Sequence, residues 1–164
     1  MRKDYKNILL INWGGIGDEI LFMPVIDSLK KEYKNAKITL ALEPRSACIT
    51  QLCPLIDEVI KTDIKAPGIK KYFNMLKFLF NVRQKKFDIV ISSGKSPLVA
   101  ILLFLTGISE RIGFKSKTSF LLTESVELNE NQYASKMYHS LISPVCDSEC
   151  SLPAIAVDNN YALP

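Results

Sequence analysis

Gly14-Gly15-Ile16-Gly17-Asp18 places three glycines and one carboxylate directly after Asn12 and Trp13, at the end of the apolar run Ile8 to Ile11. Glycines let a backbone turn sharply and approach a ligand, and a helix that follows offers unpaired N–H groups to an anion. A dinucleotide would use Gly15-x-Gly17 as the start of a G-x-G-x-x-G turn, with Glu43 about where a ribose-binding acid belongs. Against that, Ile20 holds the third glycine position, and Asp18 puts a negative charge where a pyrophosphate would lie. A carboxylate at this point suits a general base within reach of a hydroxyl. The plainer reading makes Asp18 a helix cap, although Asp18-x-x-Leu21 lacks the Glu of a capping box. On these residues alone base and cap stand level, and the ionisation of Asp18 stays open.

Other reactive side chains are few. Cys48 and Cys53 are spaced by four residues, Cys146 and Cys150 by three, and His139 is the single histidine. Such spacing is a weak zinc signal, and four thiols in a chain without an export signal are expected to stay reduced as ordinary core or loop residues. No metal and no cofactor is expected.

The elements that would position Asp18 follow from hydrophobic pattern. Strands are predicted at Asn7 to Asn12, Lys37 to Leu42, Glu58 to Thr62 and Phe87 to Ser92, with shorter ones at Arg111 to Phe114 and Glu124 to Leu128. ILLIN and DIVIS are near-continuous apolar runs, which suit strands covered on both faces. A helix is predicted over Glu19 to Tyr33, where Leu21, Val25, Leu29 and Tyr33 recur every four residues and Pro24 sits early. Ile69, Phe73, Leu76 and Phe80 mark a second helix that ends near Lys86. A third starts with Ser96 as cap and Pro97 at its first position, and stops at Gly107. Its apolar interior predicts burial on more than one face. A last helix is predicted over Asn131 to Ile142. Strands alternating with helices in this way predict an α/β fold, a Rossmann-like, doubly wound parallel sheet built from right-handed βαβ units. The strand-end loops are then its functional edge.

Length and composition agree with one domain: 164 residues, 48% hydrophobic, net charge +4. Residues 1–143 are expected to form the domain and 144–164 a tail or the start of an interdomain linker. The apolar run before Trp13 is too short for a signal peptide, and Pro97 to Leu105 is too short to span a bilayer, so a cytoplasmic protein is expected. The positive charge is local. Lys61 to Lys86 holds eight basic residues and one acid, Asp63, while the remainder holds 13 basic and 16 acidic residues. With Phe73, Phe78 and Phe80, that basic helix suits the anionic inner leaflet of a membrane, or else its aromatics are core. Nucleic acid is not expected as a partner, since no basic cluster falls in a recognisable module.

The run from Ile8 through ILLINWGGIGDEILFMPVIDSLKKEYKNAKITLALEP resembles the opening of the family 9 glycosyltransferases, the ADP-heptose:lipopolysaccharide heptosyltransferases and their relatives. FDIVISSGKSPLVAILLFLTGISERIGF is similar to the family's next block, a D-x-V-I strand, an apolar helix and an R-x-G turn. The resemblance implies the N-terminal, acceptor-binding half of a two-domain, B-type fold, with the nucleotide sugar held mainly by a C-terminal domain missing from this chain. It further implies metal-independent, inverting transfer of heptose or a related sugar from an ADP-sugar to a lipid-linked glycan acceptor of the cell envelope. Asp18 would be the base. Arg45, Lys95 and Arg111 would hold the acidic acceptor by charge-assisted bonds, and Gly14, Gly15 and Gly17 would shape the turn. Asn12 and Trp13 stand where relatives often carry small or basic residues, which bears on acceptor preference. An NAD(P)-binding oxidoreductase domain and a non-catalytic remnant are the alternatives.

Overall fold

Six short runs rich in Ile, Leu and Val form the strands β1 (Asn7–Ile11), β2 (Lys37–Leu42), β3 (Glu58–Lys61), β4 (Ile89–Ser92), β5 (Glu110–Phe114) and β6 (Glu124–Val126). The computed structural model describes residues 3–150. All six strands are parallel, in the order β3-β2-β1-β4-β5-β6, so the chain winds outward from β1 in one direction and from β4 in the other. This is the expected Rossmann-like sheet. The carboxyl ends of β1 and β4, side by side at its centre, form the switch point where such folds take ligands.

Alternation along β1 sorts the core into two layers. Ile8 and Leu10 point to one side, where they pack with Phe22, Val25, Ile26 and Leu29 of helix α1 (Ile16–Glu32) and with Met137 and Tyr138 of α4 (Ala134–Ser140). Leu9 and Ile11 point to the other, against Phe78 and Val82 of α2 (Lys70–Gln84) and Leu102 and Leu103 of α3 (Pro97–Leu105). Between β2 and β3 the connection is a run of 3-10 turns, Pro44–Leu52, which the sequence pattern did not predict.

Three helical expectations need correction. Pro24 is not in the first turn of α1: the helix begins at Ile16, so Pro24 is interior and buried, and its missing N–H leaves one rung of the ladder unmade. In α2 the row Ile69, Phe73, Leu76 and Phe80 is 63 to 73% exposed, because Phe78 and Val82, half a turn away, take the sheet side. Phe78 is therefore core, whereas Phe73 and Phe80 are surface. Ser96 does cap α3, its Oγ accepting from the Leu98 N–H at 3.3 Å, and Gly107 leaves the helix at φ +77°. Yet α3 buries only Ala100, Leu102 and Leu103 and leaves Leu98, Ile101, Phe104 and Leu105 exposed, so it is covered on one face.

The last helix is shorter than Asn131 to Ile142, and turns carry the chain on to Val145 and Cys146, both buried in the α1 layer. The Tyr33 hydroxyl donates to the Val145 carbonyl at 2.6 Å. The packed unit thus continues past residue 143. The part of the expected tail from residue 151 onward lies outside the described residues.

Candidate functional site

Where β1 and β4 end, their side chains bridge the switch point. Ser93 donates through Oγ to Asn12 Oδ1 at 2.6 Å, and the backbone N–H groups of Asn12 and Ser93 continue the ladder onto Ala41 and Ile11. Past this bridge lies a cleft of about 260 Å³, lined by Asn12, Trp13, Gly14 and Asp18 from the first loop, Ser92 to Ser96 and Val99 from the second, and Ile64 and Tyr138. The starts of α1 and α3 both border it, so two helix N-termini favour negative charge there.

Asp18 is clamped at both oxygens. Oδ2 accepts the Gly15 N–H at 2.9 Å and Oδ1 accepts the Tyr138 hydroxyl at 2.9 Å. Cap and site residue are therefore not exclusive: Gly15 is the N-cap, and Asp18, three residues on, returns its carboxylate to the cap's own N–H. The Gly15 amide that a pyrophosphate would need is thereby taken, which weighs against the dinucleotide turn. A carboxylate has about four acceptor sites, so each oxygen keeps capacity for a further partner. Burial, with the bond to Asp18 second, holds the Tyr138 phenol well above its ordinary value, so it acts as a fixed donor.

Gly14 is required by this clamp. A Cβ there would lie 2.3 Å from the Asp18 Cβ and 2.8 Å from its Oδ2, whereas one at Gly17 would meet nothing within 4 Å. Gly94 plays a matching part in the second loop, where a Cβ would fall 2.5 Å from Val99 Cγ2. Trp13 stacks edge-on against Phe78, ring centroids 5.4 Å apart.

Behind Asp18, Glu19 is 2% exposed, and neither of its carboxylate oxygens has a hydrogen-bond partner among the described residues. Burial above all pushes its pKa up to about 8; the nearby Asn12 amide opposes this, and the like charges of Asp18 and Glu43 add smaller upward contributions. Burial thus favours the neutral, protonated form of Glu19.

The predicted basic residues separate. Lys95 lines the cleft and pairs with Glu130 at 2.8 Å. Arg45 sits at the same sheet edge but one strand over, its Nε 2.6 Å from Glu43 in a depression shared with Asp63 and Lys65. Lys65 reaches the other oxygen of Glu43 at 2.9 Å. Arg111 is not brought to the cleft. It pairs in register with Val90, below the carboxyl end of β4, and its guanidinium donates to the carbonyls of Leu121 (2.8 Å), Ser109 (3.2 Å) and Ile108 while covering the Phe104 ring. Those contacts fasten β5 to the turn Ser119–Leu121. Tyr138, Ser93 and Glu19 carried no signal in the sequence as site residues. Tyr138 is 120 positions from its partner, and nothing local marks it.

The remaining chemistry is structural. His139 is buried, its Nε2 2.8 Å from Ser28 Oγ, and burial lowers its pKa. All four cysteines are free, and among the described residues no three metal-ligating side chains converge.

No family model matches the chain. It is 35% identical over 91 residues to lipopolysaccharide heptosyltransferase 3 of Escherichia coli, an alignment covering 54% of this chain and 26% of that protein. The glycosyl transferase family 9 structure from Veillonella parvula superposes with a TM-score of 0.82 at 22% identity, covering 92% of this chain and 44% of that one. The Escherichia coli heptosyltransferase WaaC with ADP gives 0.73 at 16% identity, covering 90% of this chain and 49% of that one. The chain thus spans less than half of each of these relatives. Its fold is the Rossmann-like fold of the B-type glycosyltransferases, and the resemblance to family 9 read from the two sequence blocks stands.

Proposed function

We propose that this chain is the acceptor-binding, base-bearing part of a glycosyltransferase that moves heptose or a related sugar from an ADP-sugar to a lipid-linked glycan of the cell envelope. The observation that carries the reading is the double clamp on Asp18. A carboxylate held by Gly15 and Tyr138 at the switch point has its position fixed before substrate arrives, which is what a general base requires.

The chemistry is a single displacement. An acceptor hydroxyl in the cleft attacks the anomeric carbon from the face opposite the diphosphate. Its proton passes to Asp18, the bond from sugar to diphosphate breaks, and ADP leaves with the electron pair. Lys95 and the α3 start supply positive potential beside the acceptor, Arg45 and Lys65 lie farther along the same edge, and Gly14, Gly15 and Gly17 shape the loop. Arg111 would act on acceptor only indirectly, by fixing β5. No metal or other cofactor enters this scheme.

The donor would be held by a second Rossmann-like domain outside these residues, encoded with this chain or supplied by another. Work on a lipid-linked acceptor would place the protein at the cytoplasmic face of the membrane.

The test is Asp18→Asn in a completed, two-domain protein. Transfer from ADP-heptose should fall by about 10²- to 10⁴-fold with the fold intact by circular dichroism. Turnover unchanged by that substitution removes Asp18 from the mechanism. Binding of NAD(P) by the chain in titration would instead revive the oxidoreductase alternative.

A further inference from the structure

The α2–α3 layer presents a second apolar surface to solvent. On α2, Ile69, Phe73, Leu76 and Phe80 fall three or four residues apart and form one row directly opposite the buried Phe78 and Val82. On α3, Leu98 is 69% and Phe104 51% exposed. Hydrogen bonding joins the two helices at their far ends, where Arg83 Nε donates to the Leu105 carbonyl at 3.1 Å.

Charge on this layer is mostly positive. From Lys61 to Lys95 there are nine lysines and arginines and two acids, Asp63 and Asp88. Asp63 lines a depression with Lys70 and Lys77, and Asp88 is turned into the sheet edge, its Oδ2 accepting the N–H groups of Lys6 and Asn7 at 2.7 Å each. Some cations are committed: Lys65 to Glu43, Lys85 to Glu58, Lys95 to Glu130. Among the described residues, Lys70, Lys71, Lys77 and Lys86 make no ion pair. Lys70 and Lys77 each follow a member of the apolar row, so they flank it about a quarter-turn round the helix.

An apolar row alone would fit many protein partners, and a basic patch alone would fit any polyanion. Interleaved along one helix they fit a surface that is itself anionic outside and apolar just beneath, an anionic lipid bilayer. No helix among the described residues is long and apolar enough to cross a membrane. We infer that the α2–α3 face docks flat on an anionic lipid bilayer, its aromatic row seated at the headgroup boundary and its lysines on the lipid phosphates.

Polarity of the sheet then fixes the geometry. Helices after parallel strands start at the carboxyl edge, so Ser96 at the start of α3 belongs both to the docking layer and to the cleft holding Asp18. The inference deepens the proposed function, and rests on it for the route of the lipid-linked acceptor, while its test reads binding alone.

The experiment is flotation of the purified 164-residue chain with vesicles of phosphatidylglycerol and phosphatidylethanolamine, against vesicles of phosphatidylcholine. The chain should float with the anionic vesicles, about tenfold or more weaker with phosphatidylcholine, and be released by high salt. Two variants, Phe73→Ser/Leu76→Ser/Phe80→Ser and Lys70→Glu/Lys71→Glu/Lys77→Glu, change exposed positions only and should each cut binding about tenfold or more with unchanged melting. Should either misfold, the other still decides. Failure of the folded wild-type chain to float, or undiminished flotation of a folded variant, overturns the inference. So does a concentration-dependent dimer that the serine variant abolishes, since a second copy would then own the face. A chain that floats as described, joined to an enzyme that ignores Asp18→Asn, would leave the docking face standing and sink the catalytic reading.

Discussion

On one side of the sheet α1 and α4 bury their apolar residues almost completely and turn polar groups such as Ser28, His139 and Glu19 inward; on the other, α2 and α3 bury one face and leave a second apolar face in solvent. The first layer is tied together by side-chain bonds, Tyr138 to Asp18, His139 with Ser28 and Tyr33 to the Val145 carbonyl. The second makes few polar contacts beyond its helix ends. Hydrophobic periodicity reports that a helix has an apolar row, and α2 shows that it does not report which way the row faces. The layer with the more complete burial carries Asp18, and the layer left with an apolar face in solvent carries the proposed docking surface.

Truncating one residue in each layer is the sharpest way to break that contrast. Phe22 is fully buried in α1 and meets Tyr138 edge-on at 5.8 Å, so Phe22→Ala should cost about 3–5 kcal/mol in urea melts. Phe73, 66% exposed on α2, should change stability by no more than about 0.5 kcal/mol as Phe73→Ala. Comparable losses at both would mean that the α2 row is buried after all.

Acidity sharpens the contrast next, because Glu19 belongs to the α1 side. Its carboxyl titrates near 8 in the folded chain against 4.5 when free. Between those values the unfolded chain has released a proton that the folded chain keeps, so stability falls as pH rises through that window and levels off above it. The loss should be on the order of a few kcal/mol, and Glu19→Gln should flatten it. A wild-type profile already flat from pH 5 to 8 contradicts the burial of that acid.

Smaller still is the glycine pair. Gly14→Ala should cost about 1–3 kcal/mol and displace Asp18, because its Cβ would overlap the Asp18 side chain. Gly17→Ala, with open space and helical backbone, should be neutral or stabilise by about 0.4–1 kcal/mol. Thermal melts of the two, run side by side, check the assignment.

What was legible in the sequence was whatever local physics decides. ILLIN and DIVIS read as central strands because both faces are covered, and Ser96-Pro97 read as a helix start because cap and fixed φ act within one turn. Asp18 was legible as a residue of consequence, but its two candidate roles could not be separated, and the structure gives it the cap contact and the site position together. Arg111 was misplaced toward the site because a turn motif does not state how far along a parallel strand its arginine lies. Glu19 read only as the start of a helix, because its neighbours Asn12 and Glu43 follow two different strands and come together only in the fold. Tyr138 was invisible for the same reason, its partner being far along the chain.

That last contact also sets an order of events. The hydroxyl that holds Asp18 comes from the last described helix, and the carboxylate from the first. All five strand-to-strand connections precede Tyr138 in the chain, and contacts so distant in sequence form late. The Asp18 carboxylate is thus the final piece to be set, and the cleft gains its described geometry only when α4 settles on α1. A chain truncated before residue 138 would retain all six strands and hold an unaimed carboxylate.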